Sequence, residues 1–307
     1  MIASSDNSAR ASKVKAIAEA LADLQDGAVI SLGGMTFHNE PAALVRYLVK
    51  RRVSRLTLIP PPSAAYCADL LIGAGAVARI YAGHVSFEHM GLAPNFRRAG
   101  ELGTVDIVEA NEALIIGGLL AAAQNLPAYP VSSLAFGDIG KTSGLIKRYR
   151  AEDGEELVAV KALKPDLALI HAQQADSFGN IRHLGGAFAD VIMARAARKV
   201  VVSVDELVSP EQVRKEPWRT TIPGYLVDAV VELPWGAHPA ASHGRYNYDQ
   251  DHLRDYLAAA QSLRKDKESA SWADYLQDYL FGPEDLSQYL ERIGGERKRA
   301  RLSQGVN

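Results

Sequence analysis

The amino-acid sequence predicts a doubly wound, mainly parallel α/β sheet followed by a helical C-terminal third. Three features carry that prediction. Short apolar runs rich in β-branched residues alternate with stretches of helical period through the first two thirds of the chain, the pattern of stacked βαβ units. Glycine or proline punctuates the runs, as at Gly33-Gly34 and Pro60-Pro61-Pro62. From Asp251 onward only helical spacing remains, over Asp251–Gln261, Trp272–Phe281 and Glu284–Ile293.

Each element has its own reason. Ala11–Leu24 places Val14, Ile17, Ala18, Leu21 and Leu24 at amphipathic helical spacing, and Asp26-Gly27 ends it. Ala28–Leu32 reads as a buried strand. Gly33-Gly34 then frees the backbone for a tight turn or for close approach of a ligand, and Thr36, His38, Asn39 and Glu40 follow. Pro41 opens the helix Pro41–Lys50 where a first turn tolerates proline. Open α/β sheets place ligands at the carboxyl ends of such strands, although the same glycines also suit a βα turn without any ligand. Arg55–Ile59 is a second strand with an extended exit through Pro60–Ser63. Ala64–Ile72 is a helix closed by Gly73. Val77–Tyr81 is a third strand, followed by Gly83 and a polar loop with His84, Ser86, Glu88 and His89. Val105–Val108 is a fourth strand, leading through Glu109, Asn111 and Glu112 into a helix over Ala113–Gln124. Asn125–Glu156, rich in Gly, Pro, Ser and charge, reads as a long excursion that covers a site and not as a domain boundary. Strands resume at Leu157–Val160, Asp166–His171, Lys199–Val204 and Val227–Leu233, with a helix at Asp190–Arg198. Residues 1–293 are expected to form one domain. The basic stretch 294–307 is expected to be a solvated, mobile tail.

Composition narrows the function. Of 307 residues, 48% are apolar and 23% charged, and the net charge is −2, so no nucleic-acid or anionic-membrane footprint is present. No apolar run reaches the roughly 18 residues of a membrane span, and the first residues lack the apolar core of a signal peptide. Cys67, the single cysteine, excludes an intramolecular disulfide and a cysteine-cluster metal site, and fits a reducing cytoplasm. Two apparent nucleotide motifs fail. Gly73-Ala74-Gly75 follows a helix where a dinucleotide fingerprint follows a strand, and Gly140-Lys141-Thr142 has Ala135 in place of the first P-loop glycine. No G-x-S-x-G elbow occurs. His84 and His89, like His238 and His243, lie five apart, off the spacing that aligns metal ligands on a helix, so no metal is expected.

Three polar stretches remain as candidates: Glu109–Glu112, where a carboxylate meets a helix start, His171–Asn180, and the corner Pro234–Pro239 with the following Tyr246–Asp249. Together with the stretch Asp26-Gly27-Ala28-Val29-Ile30-Ser31-Leu32-Gly33-Gly34-Met35 and Pro41, they resemble family I CoA-transferases, in particular the α (A) subunit of the glutaconate type. Ser31 in the apolar triplet and Met35 in place of phenylalanine depart from that signature. Ile170–Asp190, Ile222–Pro239 and Gly244–Asp249 extend the resemblance from about Val14 to about Ile293.

The resemblance implies a fold of the NagB/RpiA/CoA-transferase kind and a site shared between α and β chains, in a heterodimer or heterotetramer. A glutamate of the β chain would attack the acyl-CoA thioester, forming a mixed anhydride and then a glutamyl-CoA thioester in ping-pong fashion. Coenzyme A thioester is then a substrate, and no permanently bound cofactor is implied. The β chain's Ser-Glu-Asn-Gly motif is missing here, which implies half of an enzyme whose acyl and CoA pocket is shaped by Gly33, Gly34, Met35, Thr36, Phe37, Asn39, Ser63, Asn111 and Gln173. Glu112 stands where transferases usually carry glutamine. The related α chain of the steroid ring-opening CoA hydrolase carries glutamate there, and a carboxylate in a closed pocket can act as general base. Asn39-Glu40 replaces an Arg/Lys pair that both groups tend to carry just before the proline, which would deprive an anionic acyl tail of a counter-ion.

Overall fold

The computed structural model describes residues 11–131, 137–150, 152–154, 156–264, 266 and 268–306. The predicted strands form. The first four runs become β1 (Val29–Leu32), β2 (Leu56–Ile59), β4 (Val77–Ala82) and β6 (Asp106–Glu109); the short β3 (Ser63–Ala64) pairs in parallel with β5 (His84–Val85). Later runs become β10 (Leu167–Ala175), β12 (Lys199–Leu207) and β13 (Ala229–Glu232), with β11 (Ile181–Arg182) turning back antiparallel on β10. The main sheet runs β13-β12-β10-β1-β2-β4-β6, and all of these neighbours are parallel.

Both faces of this sheet are covered, so the strands read as continuous apolar runs. Along β10, Leu167 and Leu169 join one buried cluster while Ala168 and Ile170 join the other, the period of two that a pleated strand imposes. The first cluster packs under α2 (Ala42–Lys50), α3 (Tyr66–Gly73), α4 (Pro94–Leu102), α9 (Gln250–Ser262) and α10 (Ala270–Leu276). The second packs under α5 (Glu112–Ala123) and α7 (Asp190–Ala196).

Four expectations change. The N-terminal helix shrinks to α1 (Ile17–Ala20), because Val14 extends the sheet edge by bridging Val230. The excursion after α5 contains a second, antiparallel sheet of β7 (Ala128–Val131), β8 (Ile146–Arg150) and β9 (Glu156–Lys161), with α6 (Ile139–Thr142) between the first two. The helix expected over Trp272–Phe281 is α10 followed by a π-helical turn, Gln277–Phe281. The basic stretch expected to be a mobile tail forms α12 (Gly295–Leu302) after α11 (Leu286–Arg292); Leu302 is buried and its carbonyl accepts from Asn247 N. The remaining helix, α8 (Pro210–Lys215), is fixed at its start by a Ser209–Gln212 capping box.

Candidate functional site

Strand order reverses between β1 and β10: from β1 the chain winds outward through β2, β4 and β6, whereas β10 leads through β12 to β13 on the other side. Such a switch point opens a crevice at the carboxyl ends of the strands. The Gly33–Asn39 turn lies there. Gly33 N donates to Leu169 O of β10, and a Cβ on Gly33 would lie 2.8 Å from Asp190 Oδ1. Gly34 has φ +80°, and a Cβ there would approach His38 O to 2.5 Å, so glycine is required at both positions. Gly34 N donates to Asp190 Oδ1 at 2.8 Å. Asp190 is fully buried, and its Oδ2 meets His183 Nε2 at 3.1 Å; His183 Nδ1 in turn meets Thr221 Oγ1 at 2.7 Å. A charge-assisted bond of this kind holds the turn from below.

Beyond the glycines, Met35 and His38 close the turn with paired backbone bonds of 2.9 Å. Thr36 (φ +48°) and Asn39 (φ +54°) are both left-handed, strain of the sort that functional turns retain. Thr36 Oγ1 meets Ser63 Oγ at 2.9 Å, and Phe37 stacks on Tyr248 with ring centroids 5.0 Å apart. Met35 points outward and is exposed. Beside it His38 stacks on His243 at 4.9 Å, with Phe188 against both rings. Burial, reinforced by the facing His243, lowers the His38 pKa; burial and then His183 lower that of His243.

Asn39 and Gln173, expected as ligand contacts, are instead fully buried. Gln173 Nε2 donates to Asn39 Oδ1 (2.9 Å) and Ser242 Oγ (2.8 Å), and its Oε1 accepts from Leu184 N (2.8 Å). Asn39 Nδ2 reaches Gly186 O at 3.2 Å and His243 Nδ1 at 3.4 Å. With their hydrogen-bonding groups engaged inside, both residues brace the loops and hold them in place. The network continues from Ser242 to Asp205 Oδ2 (2.5 Å), His171 Nε2 (3.2 Å from Asp205) and Ser203 (3.0 Å from His171 Nδ1). Burial works to raise the Asp205 carboxyl, yet His171 and Ser242 hold it below its ordinary value.

Across the crevice, Ser63 Oγ also meets Glu88 Oε1 at 3.3 Å, and Glu88 (φ +49°) lies 3.7 Å from His84 Nε2. Asn111 is the N-cap of α5, accepting from Leu114 N at 3.0 Å. Glu112 is the first residue of that helix and is exposed; among the described residues no side chain pairs with its carboxylate. In this chain it therefore faces an open edge where a closed pocket was expected.

Several functional-looking groups escape a reading of sequence. Glu40 is buried, with Oε1 accepting from Cys67 N at 3.1 Å and Oε2 without a hydrogen-bond partner among the described residues; burial pushes its pKa up to about 8 against the pull of the Cys67, Ala65 and Tyr66 amides. Position 40 thus turns away from the crevice. His238, Asp249 and His252 converge despite unsuitable spacing, but Lys298 Nζ sits 2.6 Å from Asp249 Oδ2 and fills the place of a cation. His238 Nδ1 meets Tyr289 and His252 Nε2 meets Tyr275, which makes the cluster a structural network. Each of these residues looks like an ordinary surface polar group until the fold brings its partner.

Comparison with known proteins agrees with the geometry. The chain is 32% identical to the α (A) chain of glutaconate CoA-transferase from Acidaminococcus fermentans, over 93% of each chain. The crystal structure of that enzyme superposes with a TM-score of 0.85 over 95% of both chains. The cholesterol ring-cleaving hydrolase IpdA subunit of Mycobacterium tuberculosis is 31% identical over 93% of this chain and 99% of its own length. The decarboxylase AibA/AibB superposes with a TM-score of 0.75 at 28% identity, covering 87% of this chain and 98% of the other. Residues 14–233 match the coenzyme A transferase family. From β1 to the end of β13 and the crevice between them, this chain belongs to the coenzyme A transferase family.

Proposed function

We propose that this chain is the α subunit of a heteromeric CoA-transferase that moves CoA between an acyl-CoA thioester and a carboxylate, the covalent glutamate coming from a β subunit. The carrying observation is the Asp190-braced glycine turn at the switch point of the β1/β10 crevice, within a sheet that superposes on a glutaconate CoA-transferase over nearly its whole length. In the reaction, a glutamate oxygen attacks the thioester carbonyl and the C–S bond breaks, releasing CoA thiolate. The thiolate then attacks the glutamyl carbonyl of the mixed anhydride, and the acyl carboxylate leaves; a second carboxylate reverses both steps. No net proton moves. The α chain's task is then positioning, which suits side chains committed to internal bonds such as Asn39, Gln173 and Asp190. Met35, Thr36, Phe37, Ser63 and Asn111 would shape the acyl and CoA pocket around Gly33-Gly34.

Glu112 supports a second reading. Its unpaired carboxylate at the start of α5 could serve as base in a hydrolase that opens a cyclic keto-acyl-CoA, and the IpdA relative is by name a ring-cleaving hydrolase. One experiment separates the two. The chain is co-purified with its β partner, and CoA exchange between an acyl-CoA and a labelled carboxylate is followed for wild type and Glu112→Gln. A transferase exchanges label and keeps its rate within a few-fold, whereas a hydrolase needs no acceptor and loses several orders of magnitude.

A further inference from the structure

The exits of β1, β2 and β4 meet beside the glycine turn. Thr36 N donates to Ser63 O at 2.9 Å, and Ser63 pairs with His84 in the parallel β3/β5 ladder. A Cβ on Gly83 would lie 3.3 Å from Ala110 O and 3.4 Å from Pro62 O, so the approach to Glu112 belongs to the same edge. Side chains continue the row. Thr36 Oγ1 is 2.9 Å from Ser63 Oγ, which is 3.3 Å from Glu88 Oε1. The Glu88 carboxylate therefore reaches the turn through a single hydroxyl. The loop that presents it is firmly seated. Phe87 is fully buried, its ring 6.3 Å from that of Phe37 in the turn and 5.7 Å from that of Tyr256. Bonds from Phe87 N to Gly91 O and from Met90 N to Phe87 O, both 2.8 Å, close the loop. Glu88 N donates to Ser86 Oγ at 3.2 Å, and that hydroxyl meets His84 Nε2 at 2.7 Å. His89, next in the chain, turns onto Phe37 and Gln250. Glu88 itself stays exposed, and its bond to Ser63 uses only part of what a carboxylate can accept. Among the described residues, His84 at 3.7 Å is its ion-pair partner, and no lysine or arginine pairs with Glu88 or Glu112.

We propose that Glu88 sets the acyl specificity of the site: it turns away acyl chains that end in a second carboxylate and favours uncharged chains that carry a hydroxyl. The proposal rests on the CoA-transferase reading, which places the thioester at the Gly33–Asn39 turn. An acyl chain leaving that turn along Thr36 and Ser63 meets the Glu88 carboxylate. A hydroxyl on the chain donates to Glu88, a charge-assisted bond. A second carboxylate in the same place faces Glu88, with Glu112 at the neighbouring strand exit and no ammonium or guanidinium paired with either. Like charges brought together in a complex are costly. Selectivity then comes from the penalty on the wrong chain as much as from the bond to the right one.

The test uses the assembled heteromer of wild type, Glu88→Gln and Glu88→Ala. With labelled acetate as acceptor, kcat/KM is measured for butyryl-CoA, 3-hydroxybutyryl-CoA and glutaryl-CoA. In wild type, 3-hydroxybutyryl-CoA is expected to lead, and glutaryl-CoA to fall roughly tenfold or more below butyryl-CoA. Glu88→Gln removes the charge and keeps an acceptor, so the glutaryl-to-butyryl ratio should rise about tenfold. Glu88→Ala removes both, and should also erase the lead of the hydroxyacyl thioester. A wild type that prefers glutaryl-CoA would overturn the proposal, and that result needs no variant to fold. So would variants whose ratios stay within about twofold of wild type. A uniform change for all three thioesters would overturn it too, because it assigns Glu88 to the CoA arm that they share. If none of the thioesters exchanges CoA, the transferase reading fails. Calorimetric Kd values for unreactive thioether analogues of the same three acyl-CoAs, in wild type and Glu88→Gln, then decide the Glu88 assignment separately by the same ratios.

Discussion

Asp190 and Glu40 show what single buried carboxylates do here. Asp190 satisfies two groups at once, Gly34 N and His183 Nε2. Asp190→Ala leaves both without a partner in a dry interior, at ~1–3 kcal/mol for each group. A lower urea midpoint and a reduced kcat/KM are expected. Asp190→Asn should recover most of both, since its oxygen can still accept from Gly34 while its amide donates to a His183 tautomer protonated on Nδ1; equal damage by the two variants would show that charge, not the bond to Gly34, holds the turn. Glu40 has the opposite character. Its folded pKa lies near 8, raised by burial from an ordinary 4.5, so the folded state keeps a proton that the unfolded chain releases. The stability linked to Glu40 is complete below pH 4.5 and declines as pH rises toward 8. Glu40→Gln removes that decline. The variant's advantage over wild type should grow by more than ~1 kcal/mol between pH 5 and pH 8, read from urea midpoints at the two values, and an advantage independent of pH would refute the assignment.

At the scale of elements, what was legible in sequence was what local chemistry dictates. The parallel strands announced themselves because both faces are buried, leaving unbroken apolar runs such as Leu167–Ile170. The glycine turn was legible because only glycine tolerates Gly34's φ and the approach of His38 O. β8 was hidden because Ile146–Arg150 is a charged, exposed strand whose pairing with β9 replaces any hydrophobic signal. The buried Asn39–Gln173–Ser242–Asp205–His171 network was hidden for another reason: its members lie up to 203 positions apart, and no local pattern distinguishes a buried histidine from a surface one. Helix α12 belongs to the same class. Its Lys298 anchors the buried Asp249, which also takes His238 Nε2 and His252 N. Lys298→Met removes the cation and keeps the stem, so the loss isolates the charge. A cost of about 2 kcal/mol or more is expected, because one partner of a buried ion pair is left behind. Lys298→Arg should recover part of it, and a melting temperature equal to wild type in Lys298→Met would mean that α12 is held by Leu302 and backbone bonds alone.

At the scale of the molecule, the two ends of the main sheet are finished differently. At the amino ends of the strands, carboxylates close off the first amides: Asp166 accepts from Val29 N and Asp228 from Val200 N. The carboxyl end carries the crevice, and there large apolar side chains stand open beside half-buried imidazoles, with Met35 and Phe188 each 37% and Leu184 43% exposed. Phe188 is held there at φ +43°, a conformation that costs a bulky residue free energy. Strain and exposed apolar area at one edge are hard to reconcile with a surface meant for water, and they fit an edge completed by another chain. The relatives, named as single subunits of larger enzymes, point the same way. On adding the β chain, oxidative footprinting should show Met35 and Phe188 losing most of their reactivity, while Phe281, 37% exposed beside Val53 and Ser54 ahead of the amino end of β2, keeps its own. CoA exchange should appear only in the mixture, because the lone chain lacks the covalent glutamate. If Met35 and Phe188 stay as reactive in the active mixture as in the lone chain, the partner docks elsewhere, and the crevice edge must then be closed by the acyl-CoA itself.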